Sequence, residues 1–296
     1  MQTGWTRLLL VCLLPWAAHG QGLSAEACLQ KIDSIFGSQQ GVFALAFRDL
    51  STGSELFVRE HEAFHAASTM KTPVLVEIYR QVAVGRLKLS DSLLLRNEFT
   101  SIADSSTYQL DSVDDSETAL YRHLGERRTV SELVYQMITV SSNFATNLLI
   151  DRIGAASVVA TMHKMGLDEV HVVRGVEDNK AYQMGMNNTV TAAGLMGLFR
   201  SMAERKLVSP AASDSMISIL LDQHFNDIIP AHLPAGVKVA HKTGWIKGIH
   251  HDSGIVFLPD GRKYVLVLLS KEVTDEAAAT SSMAAVSGLL YQYVIQ

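Results

Sequence analysis

Tyr264-Val265-Leu266-Val267-Leu268-Leu269 carries apolar side chains at odd and even positions alike. Successive side chains of a strand point to opposite faces, so this run predicts a strand buried on both sides, in a sheet with helices on each face. Two further strand patterns precede it, Val237–Lys242 and Ser253–Leu258. The stretch Asp275–Tyr293 follows it as a helix with Met283, Val286, Leu290 and Tyr293 on one face. The other chain end has a matching set: an amphipathic helix over Ser24–Ser38, then Val42–Phe47 and Leu56–Val58 as a hairpin split by Ser51-Thr52-Gly53. Residues 68–221 read mostly as helix, with irregular connections at Asn97–Glu117 and Arg174–Asn188. The expected fold class is therefore α/β, of the α+β type. An antiparallel sheet of about five strands is formed by both chain ends and flanked by helices, with an all-helical lobe inserted. An α/β lobe (21–67 and 222–296) and a helical lobe (68–221) would enclose a cleft.

A chain of 296 residues with 48% hydrophobic content supports a sizeable core. A net charge of -5, with no block of Lys and Arg interleaved with aromatics, argues against a nucleic-acid partner. Arg7, the apolar stretch Leu8–Ala18 and Ala18-His19-Gly20 have the layout of a secretory signal peptide over residues 1–20, too short to span a bilayer. The mature chain would begin near Gln21, without a membrane span, and would be secreted or periplasmic. Cys12 falls in that leader, which leaves Cys28 as the one mature cysteine and rules out an internal disulfide. With Ile32, Ile35 and Phe36 on its helix face, Cys28 reads as a core residue.

Three short motifs carry chemistry. Ser68-Thr69-Met70-Lys71 opens a helix, and the spacing of three puts a hydroxyl and an amine on one face. A serine needs a base to become a nucleophile, and a lysine serves if its pKa is lowered. Lys71 in a first helical turn meets the positive end of the macrodipole, which disfavours an ammonium. Ser141-Ser142-Asn143 and Lys242-Thr243-Gly244, the latter followed by Trp245, start 73 and 174 positions after Ser68. Singly, each has a plain reading: Ser141 or Ser142 as a helix cap, Lys242 as an edge-strand charge that blocks aggregation. Neither capping nor edge protection predicts three motifs in this order.

In order and separation the three motifs resemble those of the class A β-lactamases and related penicillin-binding proteins, over essentially the whole mature chain. The resemblance implies a serine hydrolase without cofactor or metal, acting on a small-molecule β-lactam, with a monomer expected. Ser68 would attack the lactam carbonyl, with Lys71 as its base, and Ser141 would pass a proton to the leaving nitrogen. Asn143 would hold the substrate's side-chain amide, and Lys242 and Thr243 its carboxylate. The backbone N–H groups of Ser68 and Trp245 would form the oxyanion hole. Glu177 is the counterpart of the base that activates the deacylating water, with a surface carboxylate as the alternative.

Several positions depart from the family pattern. Glu177 lies three residues after Arg174 instead of two, and Ala181 stands where an Asn helps hold the water, a role left to Asn179 or Asn188. Asn188 occupies the place of an Asp that pairs with the Arg, and an Arg174–Asn188 hydrogen bond would be weaker than that ion pair. Ser142 stands where Asp is common, and Trp245 where a small residue is common, which would narrow the cleft. The pattern His250-His251-Asp252 is not read as a metal site, because adjacent strand residues face opposite ways. Asp111–Glu117 reads as a solvated acidic loop, and His241 as buried against the helical layer. A D-alanyl-D-alanine carboxypeptidase, a covalent β-lactam-binding module without turnover and a general esterase are the alternative activities.

Overall fold

The computed structural model describes residues 22–296. The leader and Cys12 lie outside the described residues. Five strands form the central sheet: β1 (Val42–Asp49), β2 (Glu55–Val58), β3 (Lys238–Ile246), β4 (Ile249–Phe257) and β5 (Lys263–Lys271). Their order is β2-β1-β5-β4-β3, and every pairing is antiparallel. The doubly apolar run 264–269 is thus on the middle strand. Its side chains divide as alternation demands. Tyr264, Leu266 and Leu268 enter a core with Cys28, Ile32 and Phe36 of α1 (Ala25–Gly37), and Val265, Val267 and Leu269 enter the core of the inserted lobe.

Helices α2 (Lys71–Ala83), α3 (Val130–Thr139), α4 (Asn143–Ile153), α5 (Ala155–Lys164), α6 (Asn179–Gln183), α7 (Ala192–Ala203) and α8 (Pro210–Leu221) make up the insertion. α7 lies across β1, β4 and β5, so sheet and insertion share one core. On the opposite face, α9 (Glu276–Ile295) packs beside α1 with Met283, Val286 and Leu290 inward. Local capping sets the helix starts: Ser24 Oγ accepts Ala27 N–H for α1, Asp275 accepts Ala278 N–H for α9, and Thr129 with Glu132 forms a capping box on α3.

The insertion is not purely helical. Ser92–Leu94 pairs with Arg127–Thr129, and Phe99–Thr100 with Thr107–Tyr108. These segments are two or three residues long and lack the periodicity that would announce a strand. Among the described residues no helix is long and apolar enough to cross a membrane. Leu266 is fully buried between the sheet and the α1–α9 layer. Leu266→Ala is expected to cost about 3 kcal/mol of unfolding free energy, read from the shift in denaturant midpoint at unchanged slope.

Candidate active site

Ser68 lies on a 3₁₀ turn, Ala67–Met70, that runs into α2 at Lys71. Ala67 is left-handed, with φ 43°, a conformation an L-residue holds only when its surroundings demand it. The edge strand β3 comes in close against this turn at Gly244. A side chain there would meet Ser68 N and Thr69 Cγ2, each at 3.2 Å, so the absence of a Cβ lets the strand pass beside the serine. Ser68, Ser141, Asn143, Thr243, Gly244 and Trp245 line one cleft of about 440 Å³.

Lys71 is fully buried, and its ammonium is held by three acceptors: Ser141 O at 2.6 Å, Asn143 Oδ1 at 2.9 Å and Ser141 Oγ at 3.1 Å. Sequence spacing put the Ser68 hydroxyl within its reach. Among the described residues no hydrogen bond joins the two, because an ammonium has three donors and these acceptors take all of them. Burial lowers the Lys71 pKa to about 7, against the opposing pull of Asp115 and Glu177. Near neutrality a good share of the amines is thus unprotonated. An unprotonated Lys71 gives up one of those donors and has a lone pair to turn toward Ser68.

Lys242 is also fully buried, although it lies on an edge strand, so it is not a solvated guard of that edge. Its Nζ donates to Ser141 Oγ at 3.1 Å, the same distance as from Lys71, and to Thr243 O at 2.9 Å. Burial and the neighbouring Lys71 push its pKa well below the usual lysine range. Ser141 therefore bridges two amines, and its left-handed backbone, φ 59°, turns both its carbonyl and its hydroxyl toward Lys71. Ser142 takes the capping role instead, with Oγ accepting Ala145 N–H.

Glu177 is half-buried and bound: Asn143 Nδ2 donates to its Oε1 at 2.7 Å. Burial raises its pKa, as do Asp115 and Asp114, against the lowering effect of the Asn143 hydrogen bond. The Asn143 amide thus spans Lys71 and Glu177. The loop behind Glu177 closes differently from the expectation. Asn188 does not meet the Arg174 guanidinium; it binds main chain, accepting Val173 and Arg174 N–H and donating to Arg174 O. The guanidinium goes to Met186 O, Gly175 O and Asn187 Oδ1. Asn188 is thereby committed, Asn179 is exposed, and Asn143 is the amide that holds Glu177.

Sequence reasoning missed two supports. Asn147 accepts Val176 N–H and donates to Val176 O, fixing the residue before Glu177, and Gly175 passes so close that a Cβ would lie 2.5 Å from Asn147 Oδ1. Its signal was available, since Asn147 follows Asn143 by one helical turn on the same face. The second is Asp115. The acidic stretch does not read as a simple solvated loop, because Asp115 is 6% exposed and bound to the start of α4.

Trp245 is 60% exposed and walls the cleft. Its Nε1 reaches Glu276 Oε2 at 3.3 Å, and its ring meets His250 edge-on. His250 faces Trp245 and Thr280, whereas His251 is buried against His65 O, so the two imidazoles diverge. His241 is buried against Asp252, which also accepts Ile229 N–H on the sheet face that α1 and α9 cover.

The family model for the beta-lactamase enzyme family matches residues 28–294. The chain belongs to that family. The β-lactamase fold is shared with PBP-A at 28% identity and a TM-score of 0.79, covering 90% of this chain and 96% of that one. A PBP-A mutant solved as its acyl-enzyme complex with penicillin G gives 29% identity and 0.78, covering 91% and 97%. A β-lactamase from Sphaerobacter thermophilus has 22% identity with a TM-score of 0.79, covering 92% and 99%, which speaks for the fold alone. Family membership makes this chain a β-lactamase-type serine hydrolase.

Proposed function

We propose that the protein is an exported serine β-lactamase that hydrolyses the lactam amide through an acyl-enzyme on Ser68. The observation that carries this reading is the Ser141 hydroxyl held between Lys71 and Lys242, with Asn143 linking Lys71 to Glu177. A proton path then exists for both halves of the reaction.

In the first half, unprotonated Lys71 takes the Ser68 proton as Oγ adds to the lactam carbonyl. The negative charge on the carbonyl oxygen meets the N–H groups of Ser68 and Trp245. When the C–N bond breaks, Ser141 donates its proton to the nitrogen and is reprotonated from the Lys71 ammonium, so Lys71 ends neutral again. Lys242 and Thr243 hold the substrate carboxylate meanwhile. In the second half, Glu177 takes a proton from water as the hydroxide oxygen attacks the ester, and Ser68 leaves as the alcohol on receiving that proton. Removal of residues 1–20 would deliver the enzyme outside the cytoplasm, where β-lactams are met.

Incubation with a chromogenic cephalosporin, followed by product release and intact mass together, tests the reading. Steady turnover with a transient adduct supports it. A lasting wild-type adduct points to a binding module, and release of D-alanine from a peptide with no lactam turnover points to a carboxypeptidase. With Lys71 as base at a pKa of about 7, the acylation rate is expected to fall tenfold per pH unit below neutrality and to level off above it. A flat acylation profile between pH 5 and pH 8 excludes Lys71 as that base.

A further inference from the structure

Asp115 comes from outside all three motifs, in the connection that leads to α3. Its neighbours Asp111 and Asp114 are exposed, but its own carboxylate is buried. Oδ1 accepts Asn143 N–H at 2.9 Å, and Oδ2 accepts Phe144 N–H at 2.8 Å and the Tyr121 hydroxyl at 2.9 Å, with Ser142 Oγ at 3.5 Å. Ser142 Oγ takes Ala145 N–H, and Ser142 O takes Thr146 N–H. All four N–H groups that open α4 are therefore satisfied, two of them by a carboxylate, the side chain that a helix N-terminus favours most.

An ordinary cap needs one acceptor, and Ser142 supplies it. Asp115 adds a second anchor on the residue whose amide joins Lys71 to Glu177. It also adds charge. Ser141 and Asn143 face Lys71 through hydrogen bonds, burial disfavours its charged form, the carboxylates of Asp115 and then Glu177 favour that form, and Lys242 Nζ shares Ser141 Oγ with it.

We infer that Asp115 is a positioning residue of the hydrolytic site: it holds the first turn of α4 so that Asn143 spans Lys71 and Glu177, and it sets a negative charge behind the amide that Lys71 binds. The inference rests on the β-lactamase reading with Lys71 as base. Asp115→Asn removes the charge and replaces one of the two oxygens that accept Asn143 and Phe144 N–H by an amide nitrogen, which accepts neither. The Lys71 ammonium then loses an attractive partner, its pKa falls, and the acid limb of acylation moves to lower pH.

The test is the rate of adduct formation on Ser68 against pH, by rapid quench and intact mass with a penicillin, in three proteins: wild type, Asp115→Asn, and Asp115→Asn with Ser142→Asp. The limb is expected to move down by roughly one pH unit in the single variant. The plateau rate should fall about 10-fold to 100-fold as the first turn of α4, which carries Asn143, loses one of its two anchors. The double variant, with a carboxylate restored to the helix end, should return the limb to its wild-type place. A slower Asp115→Asn with an unmoved limb makes Asp115 a merely structural cap and overturns the inference. If the single variant does not fold, the double variant decides, with a displaced limb or an unfolded chain counting against the inference. A wild type that penicillin does not acylate overturns the β-lactamase reading and this inference together, whereas an acylated wild type with an unmoved variant limb overturns this inference alone.

Discussion

Ser68→Ala is expected to leave no adduct with any β-lactam and to lower turnover by roughly a million-fold, to the level of the surrounding binding groups alone. The loss is this large because without the Ser68 oxygen no acyl-enzyme forms, and the proton transfers through Lys71 and Ser141 have no bond-making step to assist. Lys71, Ser141 and Lys242 are already hydrogen-bonded to one another without it. The variant should therefore keep its fold and still bind substrate reversibly, which a thermal shift with a slowly hydrolysed β-lactam checks. Residual turnover within a hundredfold of wild type removes Ser68 as the nucleophile.

Glu177→Gln is expected to separate the two half-reactions. Acylation of Ser68 continues, deacylation slows by roughly 1,000-fold, and the adduct becomes the main species in intact mass after a burst of one equivalent. Gln keeps an acceptor for Asn143 Nδ2, so the bond that orients the side chain survives while the basic oxygen is lost. The raised pKa of Glu177, caused first by burial and then by Asp115 and Asp114, sharpens the expectation. Below its pKa the wild-type carboxyl is protonated and cannot accept a proton from water. Deacylation should thus fail on the acid side, from a higher pH than an ordinary carboxylate gives. A variant that deacylates as fast as wild type removes Glu177 from the mechanism.

The fold was legible because its deciding signals are local. Alternation along 264–269 required two covered faces, and β5 has them; the face of α1 with Cys28, Ile32 and Phe36 was visible as a helical repeat. The short ribbons at 92–94 with 127–129 and 99–100 with 107–108 were not, since two or three residues carry no period and their pairing depends on distant partners. In the site, the motifs named the groups that meet in the cleft but left their contacts open. Ser68 and Lys71 are neighbours by spacing, yet Lys71 bonds to Ser141 and Asn143. Family spacing pairs Asn188 with the Arg174 side chain, whereas the folded loop sets it on the Arg174 main chain. Asp115 looked like one acid among several, and only its burial against α4 distinguishes it.

By itself the sequence determined which chemical groups this protein brings to its cleft and which elements carry them, because residue type, strand alternation and helical repeat act over a few neighbouring positions. The tertiary structure alone decided how those groups are wired: Ser141 shared between two buried amines, Glu177 tied to Asn143, and Asp115 set on the first turn of α4. The physical reason is that these partners are 27 or more positions apart in the chain and meet through burial and through left-handed backbone at Ala67, Ser141 and Glu177. A protein holds such conformations only when the packing around them supplies the stabilisation that the residues lack on their own.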